Sequence, residues 1–109
     1  MSQTTTPRWK TKRTAETRRV EEMLRKEFPN TDAYRYNSAS IRVRIVDPRF
    51  EGKSVGQRDA MVEPHLEKLP AQTQMDIMNL TTLFPEEPRN SFKALLANEE
   101  FENPSKSEL

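Results

Sequence analysis

The chain has 109 residues, 18 basic and 17 acidic, leaving a net charge of +1. Hydrophobic residues make up 33%, with Leu, Ile, Val and Phe about 19%, which suits one small core in one domain and excludes a large internal cleft. There is no Cys, one His (His65) and two Gly (Gly52 and Gly56), which excludes disulfides, thiol nucleophiles, thiolate or His-cluster metal sites, and the Rossmann and P-loop patterns.

Residues 1–13 are rich in Ser, Thr, Lys and Arg, contain Pro7, and read as a disordered basic arm carrying Arg8, Trp9, Lys10, Lys12 and Arg13. With Arg18 and Arg19 against Glu16 alone, residues 1–19 sum to +5, whereas residues 85–109 sum to −3. Such an arm either attracts phosphate or an acidic surface, more weakly as salt rises, or is a solvated tail. Trp9 either stacks on a base or covers an apolar edge of the domain. Thr14 is a plausible N-cap for a helix over 14–28, with Val20, Met23, Leu24 and Phe28 on one face. Glu21–Arg25 and Glu22–Lys26, four apart and acid first, are expected on its exposed face.

Ala33 to Tyr36 and Ile41 to Ile45 alternate on either side of Asn37-Ser38-Ala39-Ser40, which predicts a hairpin of strands 31–37 and 40–46. Its second strand should have a buried face of Ile41, Val43 and Ile45 and a basic face of Arg42 and Arg44. An apolar stripe of Val55, Met61, Val62, His65, Leu66 and Leu69 predicts a helical region over 54–69, kinked or split into two pieces at Pro64. Residues 75–81 read as a third strand. A helix over 91–101, opened by Ser91, should carry Phe92, Leu95, Leu96 and Phe101 on one side. The expected core is Val20, Leu24, Phe28, Ile41, Val43, Ile45, Val62 and Leu66. The order α-β-β-α-β-α predicts an α+β two-layer sandwich, one three-stranded sheet packed by helices. No apolar run is long enough to span a membrane and no leader-like segment opens the sequence, so a cytoplasmic protein without membrane contact is expected.

The stretch Ile41-Arg42-Val43-Arg44-Ile45-Val46, then Arg49-Phe50-Glu51-Gly52-Lys53-Ser54, then Arg58 and Val62, resembles the BolA-like proteins. Residues 74–87 align with that family's last strand and the acidic stretch after it. The resemblance covers residues 14–87, leaving 88–102 as a C-terminal helix and 103–109 as a tail. It implies a fold related to the KH-type sandwich and a monothiol glutaredoxin as a partner. In the family, the His opening the last strand ligates an iron–sulfur cluster shared with that glutaredoxin, and a Cys or His from the first inter-strand loop is the second ligand. Here Asp76 stands at that His, Asp59 replaces the His of the family's Arg-His-Arg, and the loop Asn37 to Ser40 has neither donor. Iron–sulfur centres take thiolate and sometimes imidazole, so no cofactor is expected. His65 reads as a packing residue of its apolar stripe.

Asp59, Glu63 and Asp76 could be imagined as acid–base carboxylates, but such groupings arise freely among 17 acids, and no enzyme is expected. Gly52-Lys53-Ser54-Val55-Gly56 is one residue longer than the Gly-x-x-Gly loop with which KH domains clamp a nucleic-acid backbone. Arg35, Arg42, Arg44, Arg49, Lys53 and Arg58 concentrate on and after the hairpin, as a solvated basic face or as a surface for an acidic or phosphate-bearing partner. The expectation is a non-enzymatic BolA-like binding or regulatory module acting through a protein surface, without iron–sulfur ligation. The alternative is a nucleic-acid-binding protein using the basic arm and hairpin face.

Overall fold

The computed structural model describes residues 8–103; the parts of the expected arm and tail at 1–7 and 104–109 lie outside them. The first element is a 3-10 turn, Arg8–Lys12. It is followed by α1 (Ala15–Arg25), the hairpin β1 (Thr31–Asn37) and β2 (Ser40–Val46), and a short 3-10 turn at Pro48–Phe50. Then come α2 (Val55–Leu66), α3 (Ala71–Asp76), β3 (Ile77–Leu83), α4 (Glu87–Asn90) and α5 (Phe92–Glu102).

Local chemistry sets these boundaries. Thr14 and Thr17 form a reciprocal capping box at the start of α1, and Ser54 and Gln57 do the same for α2. Gly52 turns the chain ahead of α2 with φ of +79°, a conformation that favours glycine. The hairpin pairs antiparallel, with Ala33 opposite Val43. β3 lies parallel to β2 on its other side, giving the mixed order β1-β2-β3. A parallel neighbour needs a crossover, and α2 with α3 supplies it. The architecture is therefore α+β, with a three-stranded mixed sheet and five α-helices among the described residues.

The inner face of the sheet carries the apolar core. Ala33, Ile41, Val43 and Ile45 pack with Val20, Leu24, Phe28, Phe50, Val62 and Leu69, all buried. Leu66, expected in this core, is only partly buried at its margin.

Several expectations need correction. The sheet has helical cover on both faces, not one. Trp9, Tyr34 and Phe101 form a second buried cluster on the outer face, under the 3-10 turn and α5. Residues 8–12 are thus not a disordered arm, since Trp9 retains only 2% exposure and Lys12 is also buried. α2 is not split at Pro64, which lies inside a single helix. The proline stands two residues from the helix end and removes just the bond that would reach Ala60. The third strand begins at Ile77, because Met75 and Asp76 belong to α3, which follows Pro70. Glu21 is buried, so its partner Arg25, 3.6 Å away, does not meet it on a solvated face.

On α5 the buried residues are Ala94 and Phe101, while Phe92, Leu95 and Leu96 are exposed. Small residues at Ala94 and Ala97 let the helix lie close to the sheet, which turns the bulkier leucines outward.

Candidate functional site

The six cations expected to share a surface are dispersed. Strand alternation puts Arg35 on the inner side, where it donates to Asp76 at 2.8 Å and meets Glu16 at 3.5 Å. Arg42 lies 3.8 Å over the Tyr36 ring and donates to the Tyr34 hydroxyl at 3.2 Å and the Glu100 carbonyl at 3.3 Å. Arg44, 8% exposed, pairs with Asp32 at 2.9 Å and with Glu102, and donates to Asn98. Its guanidinium sits 4.4 Å over the Phe101 ring, and its buried Nε has no hydrogen-bond partner among the described residues.

Arg49 bridges Asp47 and Glu27 and covers Phe28 at 4.8 Å. Arg58 is buried, donating to the Thr82 carbonyl and to Glu87, both at 2.7 Å, and to the Lys53 carbonyl at 3.0 Å. Lys53 is exposed and forms no ion pair among the described residues. The arginines are therefore internal ties, each matched by a carboxylate or stacked on a ring.

The basic arm behaves similarly. Arg13 pairs with Glu21 at 2.9 Å and lies 5.0 Å over Trp9, with Lys10 at 5.7 Å from the same ring. Lys12 lies 5.9 Å from the Tyr36 ring. Arg8 stays exposed. Of the two roles weighed for Trp9, covering apolar surface is the one its burial favours.

The titrating groups follow from these contacts. The guanidinium of Arg35, bonded to Asp76, holds that carboxyl below its usual range, with Gln72 assisting. Arg49 does the same to Asp47 and to Glu27, whose charges in turn raise Arg49. Burial pushes the Tyr34 phenol up against the opposing pull of Arg42. Burial, then the charge of Glu63, pushes Asp59 up, and its buried Oδ1 has no hydrogen-bond partner among the described residues.

Asp59 is in α2, while Asp76 ends α3 with its oxygens taken by Arg35 and Gln72. His65 packs edge-on against Phe28 at 5.6 Å. No group of three or more His, Cys, Asp or Glu is placed to hold a metal among the described residues.

A concavity of about 320 Å³ lies elsewhere, along the free edge of β3. Leu80, Thr81, Thr82 and Leu83 of β3 line it together with Val55 and Arg58 of α2 and Lys93, Ala94 and Ala97 of α5. Val55 is 62% exposed, and Met78 of β3 is also exposed. The sequence signal for this site is slight: an apolar residue just after an N-cap, and two alanines three apart on a helix. Both depend on α5 crossing the sheet, which periodicity does not report.

No helix among the described residues is long and apolar enough to cross a membrane. Comparison of the chain with protein-family models, curated proteins and solved structures finds no match.

Proposed function

We propose that this chain is a non-enzymatic, BolA-like binding or regulatory module of the cytoplasm that acts through a protein surface without ligating an iron–sulfur cluster. The observation that carries the reading is the distribution of exposed groups. Arginines of the sheet are matched internally, whereas Val55, Met78, Phe92, Leu95 and Leu96 are left in solvent around β3 and α5. Large apolar groups left exposed on a small domain are a feature of protein contact surfaces.

The absence of ligation is supported by the donor set. Asp76 is a hard carboxylate already held by Arg35, and His65 is packed against Phe28. A monothiol glutaredoxin remains a partner through surface contact.

The test is capture of partners from native lysate, with and without nuclease, by the intact chain and by Leu96→Asp. A nuclease-resistant protein lost in the variant is expected; capture of nucleic acid alone would overturn the reading. For the cluster, titrating the chain into cluster-loaded monothiol glutaredoxin should leave the visible circular dichroism bands unchanged. A saturable change lost in Asp76→Ala or His65→Ala would show ligation.

The second reading, nucleic-acid binding, rests on exposed Arg8, Lys10, Arg18 and Arg19 near the amino-terminal end. It predicts binding of a single-stranded oligonucleotide that weakens steeply with salt. Absence of binding at low salt removes it.

A further inference from the structure

The two edges of the sheet are treated differently. On β1, Glu21 accepts the Ala33 amide at 2.9 Å and Arg25 donates to the Thr31 carbonyl at 2.8 Å, so α1 occupies that strand's outer main-chain groups. On β3 the Leu83 carbonyl accepts from Asp47 at 2.8 Å, on the β2 side. Alternation along a parallel strand therefore sends the main-chain groups of Leu80 and Thr82 to the outer edge. The Thr82 carbonyl takes Arg58, and the Phe84 amide donates to Glu87 at 3.1 Å. Beyond them the cover stops. The Leu80 amide and carbonyl have no side-chain partner among the described residues, and Leu80 lines the groove together with Val55 and α5.

An open strand edge is a template for another extended backbone. The charge on the groove selects its occupant. Arg58 and Glu87 neutralise one another at 2.7 Å. Lys93 on the α5 wall is exposed and without an ion pair among the described residues, so the charged groups lining the groove sum to one positive charge.

We infer that this groove takes an extended, acidic peptide strand from a partner protein, paired to β3 as a fourth strand with alternate apolar side chains against Val55, Leu80 and Ala97. The inference rests on the reading of the chain as a protein-binding module and names the chemistry of its partner. Main-chain pairing supplies affinity, and the walls choose the side chains.

The test uses a library of peptides of roughly ten residues, the length of such strand ligands, selected on the full chain. The best peptide then serves as the probe. Selected sequences should alternate apolar residues with polar ones and be enriched in Asp and Glu. Either Val55→Asp or Lys93→Glu, both at exposed positions, should weaken the probe by about tenfold or more. N-methylating one alternate set of probe amides should abolish binding, and methylating the other set should leave it within about threefold, since only one set faces the strand. Amide shifts of the protein should centre on Leu80 and Thr82.

Equal tolerance of both methylation sets, indifference to both variants, helical selected peptides or a library without binders would each overturn the inference. Self-association broken by Val55→Asp would assign the groove to a second copy and also overturn it. The binding-module reading stands or falls separately, on whether the chain captures a nuclease-resistant protein.

Discussion

The two faces of the sheet are buried by different chemistry. The inner face is apolar and mostly aliphatic: Ile41, Val43 and Ile45 meet Val20, Leu24, Phe28 and Val62 with no charge among them. The outer face is built from rings and guanidinium groups, with Arg44 between Phe101, Trp9, Asp32 and Glu102. Removing apolar area from water stabilises the first in proportion to its extent. In the second, desolvation of each charge opposes the ion pairs, and the net gain rests on satisfying every partner. One face supplies stability, and the other fixes where the Arg8–Lys12 turn and α5 must sit.

Substitutions can break or sharpen that contrast. The largest loss is expected from Phe28→Ala on the inner face, about 3–5 kcal/mol in urea unfolding followed by far-ultraviolet circular dichroism. Phe28 is buried and stacked on Phe50 at 5.8 Å, so its removal leaves a cavity. A loss below about 1 kcal/mol would mean the site collapses freely.

On the outer face, Arg44→Ala should cost about 3 kcal/mol by leaving Glu102 without its cation and the Phe101 ring without the guanidinium over it, while Arg44→Met, which restores packing and not the charge, should recover only part of it. If Met is as damaging as Ala, the charge itself holds that face together.

Trp9→Ala should cost less than the roughly 3–5 kcal/mol of a central core deletion, because the 8–12 turn can release without unfolding the sheet. Hydrogen exchange should quicken in α5 and remain unchanged at Val43; equal quickening at both would make the two faces one cooperative unit.

The smallest effects are in pH. Asp47 has its carboxyl depressed, so its contribution is complete above the unfolded value of about 4 and is lost as pH falls through the lower folded value. Asp59 is raised, so its penalty is absent below about pH 4 and develops as pH climbs toward the folded value. Asp47→Asn should weaken the acid sensitivity, and Asp59→Asn should raise stability near neutral pH. Shifts of the opposite sign in thermal melts would reverse these assignments.

The inner face was legible in the sequence because burial there follows strand and helix periods. Both hairpin strands fall on the residues that alternation predicts, 31–37 and 40–46. The outer face was not legible for the same reason. Arg42 and Arg44 have the pattern of a solvated strand face, and nothing local says that Trp9 and Phe101 arrive from opposite ends to cover it. Likewise Phe92, Leu95 and Leu96 resemble a buried stripe until Ala94 and Phe101 are seen to take the contact. The groove on β3 follows from that packing, so it was hidden with it. The arginines were found as residues, but their partners lie up to 58 positions away, as Arg44 and Glu102 do.

Trp9 is the sole tryptophan of the chain, and it stands in the outer layer with its indole N–H 3.4 Å from Glu102, 93 positions along. Its emission therefore reports the docking of the outer layer, an intrinsic fluorophore placed away from the inner core. Closing a loop of that length carries more entropy than joining the adjacent strands of the hairpin. Nascent sheet structure can thus precede the fluorescence change, and during synthesis the indole stays solvated until residues 92–102 have emerged.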